Sequence, residues 1–234
     1  MTGRCHRGDD DMPLKVVFFN VGQDDCTLIT FYKPGAPKAE AAVLLDCGSK
    51  PGGEVAPRAP SGSATGTTKD RLVAHLRERI DDHLQDLVNP GVLVYLMISH
   101  PDEVHFNLLE DVLCDPGTKK LRYTLTNVWY ALGPGDYKER HKTFIKNLLT
   151  NPAALKSSGG HEVVTAPELK PTQGHPEPVF PETPDTPNLY LLNGGAATHH
   201  RFADVDKVDG DWKPVTAPAA QLPGRTRSGC RSPL

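Results

Sequence analysis

Long apolar runs are missing from this chain, and their absence bears first on where the protein resides. No stretch of about 18 consecutive apolar residues occurs, which is the length that a membrane-spanning helix needs. Residues 1–13 are charged and contain no apolar core of the kind found in a secretory signal peptide. The sequence therefore predicts a cytoplasmic protein that has no membrane partner.

Paired cysteines and a basic excess are missing as well. The five cysteines are an odd number without Cys-x-x-Cys spacing, which favours a reducing compartment over a disulfide framework. Cys26, Cys47 and Cys114 lie in or beside apolar segments, where a free cysteine behaves as a small hydrophobic residue. A formal net charge of -3 does not support a nucleic-acid partner, although a local phosphate-binding surface stays open.

Two catalytic motifs are also absent. The chain contains no Gly-x-Ser-x-Gly nucleophile elbow, so a serine hydrolase of that type is not expected. It contains no Walker-type phosphate loop either.

Proline and glycine, by contrast, are abundant. With 22 prolines, 21 glycines and 38% hydrophobic residues, the chain has material for one domain with a modest core. We expect a disordered N-terminus over 1–13, a folded domain over 14–195 and a disordered tail over 196–234. Within that domain, 167–187 carries seven prolines and is predicted to be an inserted loop or linker.

The apolar segments alternate between strand and helix patterns. Residues 14–21 and 27–32 predict a hairpin, and 41–48 predicts a strand that ends in Asp and then Gly. A helix capped by Thr67 or Thr68 follows, with one apolar face formed by Val73, Leu76, Ile80, Leu84 and Leu87. The fold class is therefore predicted to be α/β, with a mixed β-sheet flanked by helices.

The most informative segment follows the next predicted strand. His100, Asp102 and His105 come directly after the apolar run 92–98, so a rigid element would hold three metal-binding side chains in one loop. This spacing favours a metal site. The same residues also fit a helix cap with two solvated imidazoles, and the spacing alone leaves that alternative open.

Three motifs in this order resemble the metallo-β-lactamase superfamily, in the branch that includes the hydrolase-like domain of bacterial competence (DNA-uptake) proteins. The turn 20–25 is similar to the Val-Gly-Gln-Gly-Asp turn of that branch, and Asp46-Cys47-Gly48 is similar to its Asp-x-Gly strand end. Residues 99–105 are similar to its signature His-x-Asp-x-Asp-His loop. The resemblance implies that 14–195 is a partial metallo-β-lactamase-like sandwich of the αββα type.

The resemblance also implies a metal site and its chemistry. It assigns His100 and Asp102 to one metal and His105 to a second, with zinc in one or two copies and manganese or iron as alternatives. Asp46 and Asp102 become the expected catalytic residues, with Asp46 orienting the cluster from the neighbouring strand. The chain departs from the pattern at Val104, where the family has an acidic ligand, and valine has no lone pair to offer.

Two functions follow from the resemblance. The first is a metal-dependent hydrolase acting on a phosphodiester or another ester bond, or on a small-molecule substrate of that chemistry. The second is a catalytically inactive, truncated scaffold or binding protein, because Val104 replaces a ligand and the later ligands of the family cannot be identified over 196–234. A partner chain that completes the fold would favour the first function.

Overall fold

The computed structural model describes residues 14–55, 66–131, 134–137 and 142–169, together with four short strand segments, 177–178, 190–191, 205–208 and 211–214. The N-terminus 1–13, which we expected to be disordered, lies outside the described residues. The chain divides into two compact units, 1–199 and 200–234. The site predicted from the sequence lies in the first unit.

The first unit contains the α/β fold that the sequence predicted. Its strands are β1 (Leu14–Phe18), β2 (Thr27–Tyr32), β3 (Ala39–Leu45), β4 (Val92–Ile98), β5 (Thr124–Tyr130), β6 (Glu168–Leu169), β7 (Glu177–Pro178) and β8 (Tyr190–Leu191). Its helices are α1 (Thr68–Gln85), α2 (Leu109–Leu113) and α3 (Lys142–Thr150). Among the described residues, no helix is both long enough and apolar enough to cross a membrane.

The main sheet is mixed and follows the order of the chain, from β1 to β6. The predicted hairpin is confirmed, since β1 pairs antiparallel with β2, and β2 pairs antiparallel with β3. From β3 onward, each strand pairs in parallel with the next. Two antiparallel steps make β1 parallel to β3, so β1, β3, β4 and β5 all end at the same edge of the sheet.

Helix α1 begins where the sequence predicted. Thr67 is its N-cap, and its side chain accepts a hydrogen bond from the Asp70 backbone N–H at 3.2 Å. The Asp70 carboxylate in turn accepts a hydrogen bond from the Thr67 backbone N–H at 2.8 Å, which completes a capping box. The predicted apolar face is confirmed, because all five of its residues are buried.

The core lies mainly on one face of the sheet. The inward faces of all three helices join that face in one large hydrophobic cluster, which includes Leu76 of α1, Val112 of α2 and Leu148 of α3. A smaller cluster, including Val43 and Trp129, is formed by side chains of β2 to β5 on the opposite face. Both faces of the central strands are therefore apolar, as expected for a sheet that is buried on two sides.

The helix expected over 106–113 starts later than predicted. Glu103–His105 forms a turn of 3-10 helix, and α2 comprises only Leu109–Leu113. The side chain of Asn107 is engaged by the backbone of Ser49, which ties this stretch to another loop. Tertiary contacts here override the helical pattern of the sequence.

The second unit contains a short hairpin. Its strands β9 (Val205–Val208) and β10 (Asp211–Pro214) pair antiparallel. These residues fall within 196–234, for which the composition predicted a disordered tail, and the remainder of that range lies outside the described residues.

Candidate metal centre

Three loops meet at the edge of the sheet where the parallel strands end. They are residues 20–26 after β1, 46–49 after β3 and 99–105 after β4. Ligands of α/β proteins commonly bind at this edge, because loops from neighbouring strands converge there. The three motifs on which the family resemblance rests are therefore brought together in space.

Gly48 allows two of these loops to touch. A Cβ atom at this position would lie 1.7 Å from the carbonyl oxygen of Val104, so a side chain cannot be accommodated without moving backbone. The contact is reinforced by the Cys47 N–H, which donates to the His105 carbonyl oxygen at 2.8 Å. The Gly48 N–H donates to the Asp25 carbonyl oxygen at 3.1 Å, which attaches the third loop.

Hydrogen bonds of Ser49 and Asn107 connect the same loops. The Ser49 N–H donates to Asn107 Oδ1 at 2.9 Å, and Asn107 Nδ2 donates to the Ser49 carbonyl oxygen at 2.7 Å. The Ser49 hydroxyl donates to the carbonyl oxygen of Val21 at 2.6 Å. Ser49 and Asn107 are both buried, so these polar groups satisfy one another and fix the loops in a defined arrangement.

Asp46 is the central acceptor of the site. Its backbone is left-handed, with φ of 51°, and its side chain is almost fully buried. Oδ1 accepts a hydrogen bond from the Ser99 N–H at 2.7 Å, and Oδ2 accepts one from the Ser99 hydroxyl at 2.5 Å. Oδ2 also lies 3.1 Å from Nδ1 of His105.

The Asp46 carboxylate fixes the orientation of His105. Since a carboxylate only accepts hydrogen bonds, Nδ1 carries the proton, and in the neutral ring the lone pair is on Nε2. Nε2 lies 4.0 Å from Oδ1 of Asp24. The hydrogen bond with Asp46 raises the pKa of His105, although partial burial acts in the opposite direction.

Asp24, Asp25 and His105 form one cluster. Each offers one ligand atom, and these atoms lie within 4.8 Å of one another. Burial raises the pKa of Asp24, and His105 acts against that shift, while the neighbouring carboxylates, with Asp25 the strongest, raise the pKa further. Carboxylates crowded in this way are stabilised by a cation, which replaces their mutual repulsion with attraction.

His100 and Asp102 lie on the same rim but outside this cluster. His100 Nδ1 is 3.3 Å from Oδ2 of Asp102, and the His100 and His105 rings have centroids 5.5 Å apart. The Asp102 side chain is 61% exposed. Of the three residues proposed as ligands from the sequence, the structure groups His105 with two acids, whereas His100 and Asp102 pair with each other.

Two of the cluster residues were not singled out from the sequence. Asp24 and Asp25 belong to the turn 20–25, which was interpreted as a family motif without a ligand role. Their position could have been inferred from topology, because a strand in hairpin order is parallel to the next strand but one. That places the end of β1 at the same sheet edge as Asp46 and His105.

Comparison with models of protein families, with curated proteins and with solved structures finds no match to this chain. The resemblance of its three motifs to the metallo-β-lactamase superfamily therefore stays a prediction.

Proposed function

We propose that this chain binds one divalent cation through Asp24, Asp25 and His105 and hydrolyses phosphodiester or other ester bonds with it. The observation that carries the proposal is the imidazole of His105, which Asp46 holds by Nδ1 while Nε2 faces Asp24. Histidine ligands of metals almost always donate their other ring N–H to a carboxylate or carbonyl in this way.

The donor set fits a divalent transition metal. Zinc lies about 2.0 to 2.2 Å from nitrogen and oxygen ligands, so two ligands of one ion are at most about 4.4 Å apart. The 4.0 Å between His105 Nε2 and Asp24 Oδ1 is within that limit. The ligand atoms of all three residues lie within 4.8 Å of one another, so a bound ion would draw the side chains slightly closer together. One imidazole with two carboxylates suits zinc, manganese or iron, and three protein ligands leave a position open for a substrate or water.

The proposal is limited to one ion by the number of donors. His100 and Asp102 would supply two ligands to a second ion, whereas zinc sites normally have at least three protein ligands. In the described part of the chain, the group of three metal-binding side chains that lies close enough together is Asp24, Asp25 and His105.

The residues of the chain have separate roles in this proposal. A bound cation would supply a hydrolytic nucleophile near neutral pH and polarise the scissile ester. Asp46 positions His105, and the two hydrogen bonds that Ser99 donates end on the Asp46 carboxylate. His100 and Asp102 flank the cluster on the exposed rim, where a substrate would enter.

The fold offers support for the finer, sandwich-like architecture as well. On the sheet face opposite the helices, apolar side chains extend from Val16 and Phe18 on β1 to Trp129 on β5. Phe18 is 78% exposed on this face. A second sheet, from the same chain or a partner chain, would bury Val16 and Phe18 and complete an αββα sandwich.

A non-catalytic scaffold is the second candidate, and Val104 favours it. Where the family has an acidic ligand, this chain presents an apolar side chain, and the carbonyl of Val104 packs against Gly48. The Asp24 carboxylate lies beside His105 and can provide the negative charge that Val104 does not. Activity therefore depends on whether Asp24 serves as a ligand.

A phosphodiesterase assay on matched variants tests the proposal. The wild-type chain is assayed on bis(p-nitrophenyl) phosphate with added Zn²⁺ or Mn²⁺, next to Asp24→Asn and His105→Gln. Both variants keep the size of the side chain, and we expect each to lose at least about tenfold in activity and in cation affinity.

Asp82→Asn is the matched control, since it removes the same charge from the exposed surface of α1. It should leave both quantities unchanged. Cation binding without hydrolysis in the wild type would favour the scaffold. Equal activity in the wild type and in both cluster variants would contradict the proposed site.

A further inference from the structure

Two buried cysteines lie in contact behind the candidate metal centre. Cys26 and Cys47 are 1% and 0% exposed, and their Sγ atoms are 3.2 Å apart. Both are free thiols in the structure. A disulfide bond is about 2.05 Å long, so the two sulfurs would have to approach by only about 1.2 Å to form one.

The backbone holds the two sulfurs near each other. Thr27 pairs with Leu45 at the adjoining ends of β2 and β3. Cys26 directly precedes Thr27 and Cys47 lies two positions after Leu45, so both cysteines are next to this last pair. The Cys26 carbonyl accepts a hydrogen bond from the Phe19 N–H at 2.9 Å, and the Cys47 N–H donates to the His105 carbonyl. Neither cysteine is on a freely moving segment, so their proximity is built into the sheet.

From this geometry we propose that Cys26 and Cys47 are a redox pair that forms an intramolecular disulfide with glutathione disulfide as the oxidant. One cysteine thiolate attacks glutathione disulfide, giving a mixed disulfide and releasing one glutathione thiolate. The second cysteine thiolate then attacks the protein sulfur of the mixed disulfide and releases the other. Two cysteines are oxidised, one glutathione disulfide is reduced to two glutathiones, and the cysteine protons pass to the released thiolates.

Burial determines when the reaction takes place. Both thiols are almost completely buried, so glutathione disulfide cannot reach either sulfur while the protein is folded. Exchange is therefore slow in the native state and fast while the chain folds or opens locally. The same burial protects the disulfide from reductants once it has formed.

The crosslink would join the two segments that carry the site. Asp25 precedes Cys26, whereas Asp46 precedes Cys47 and orients His105. The disulfide proposal itself is independent of metal binding, because it depends only on the contact between the two sulfurs. A failure of one proposal would leave the other standing.

Peptide mapping tests the disulfide. The full chain is unfolded and refolded in glutathione buffers of increasing oxidising strength, acid-quenched, alkylated and digested with trypsin. Cys26 and Cys47 fall in different tryptic peptides, 16–38 and 39–58, so a disulfide joins two separable masses. We expect the linked peptide to dominate in oxidising buffer and to persist in Cys114→Ala, which removes another buried thiol.

Stability gives a second readout. The two cysteines are 21 positions apart, and a crosslink over such a loop should raise the urea midpoint of the oxidised protein by on the order of 1 M. Cys47→Ala should show no difference between oxidising and reducing buffers. Recovery of both cysteines as alkylated thiols in the most oxidising buffer would overturn the proposal. So would pairing of Cys26 with all four other cysteines in equal shares.

Discussion

Replacing Asp46 by asparagine tests how the site holds His105. The substitution keeps the shape of the side chain but turns one carboxylate oxygen into an amide that donates hydrogen bonds. If the oxygen stays opposite the Ser99 N–H, the amide nitrogen faces Nδ1 of His105. Nδ1 must then accept, which moves the ring proton to Nε2 and removes the lone pair that faces Asp24.

The expected losses of metal affinity and stability follow from the hydrogen bonds that Asp46 makes with His105 and Ser99. Loss of the partner that orients a metal-binding histidine typically lowers metal affinity by about 10- to 100-fold, or about 1.4 to 2.8 kcal/mol. The hydrogen bonds that Asp46 accepts also lose the assistance of its charge, at about 1 kcal/mol each, so the folded protein should lose roughly 2–3 kcal/mol of stability.

Calorimetric titration with Zn²⁺ and Mn²⁺ measures the affinity, and urea denaturation measures the stability. Ser99→Ala is the control, because it removes a hydrogen bond to the same carboxylate oxygen without changing the proton on His105. It should cost about 1 kcal/mol of stability and leave the affinity within about threefold. An Asp46→Asn variant that binds the cation as tightly as the wild type would refute the reasoning.

Two further predictions concern the loops around the site, and a third concerns the loop between α2 and β5. Val104→Asp adds an acidic side chain next to His105 and should raise cation affinity in the same titration if the family geometry is retained; an unchanged affinity would count against it. Gly48→Ala places a methyl group 1.7 Å from a backbone carbonyl oxygen and should destabilise the fold by about 2 kcal/mol or more in urea. Gly135→Ala is the control, because a Cβ atom there would meet no other atom within 4 Å, and it should cost less than about 1 kcal/mol. Asp115 accepts hydrogen bonds from the backbone of Thr118 and Gly117, which lower its pKa; its contribution to stability is full above its ordinary pKa of 3.8 and is lost as the pH falls through the lowered value. Asp115→Asn should therefore lose less stability than the wild type between pH 7 and pH 3, and an equal loss would contradict this reading.

The sequence predicted those elements whose pattern is local. The spacing of apolar residues in α1 and the Thr67 cap depend on neighbours in the chain, and both are confirmed. Asn107, just before α2, is hydrogen-bonded to Ser49, 58 positions away in the chain. The local pattern does not contain this contact, and the predicted start of α2 was therefore wrong. The hairpin of β1 and β2 was predicted correctly because two apolar strand patterns flank a polar turn that contains glycine.

In the candidate site, too, local motifs were recognised from the sequence and contacts between distant segments were not. His105 and Asp46 were recognised as parts of a motif, and the structure brings them within hydrogen-bonding distance. The cluster of His105 with Asp24 and Asp25 depends on the order of the strands, which no single motif contains. The contact between Cys26 and Cys47 likewise arises only when β2 pairs with β3.

The metal content of the purified chain tests the central claim most directly. Protein prepared without chelators or a histidine tag, and then offered zinc and manganese, is analysed by inductively coupled plasma mass spectrometry next to Asp24→Asn and His105→Gln. The account predicts about one equivalent of cation in the wild type and less than about a tenth in each variant. A wild-type chain that holds less than about a tenth of an equivalent, or variants that hold as much as the wild type, would contradict it.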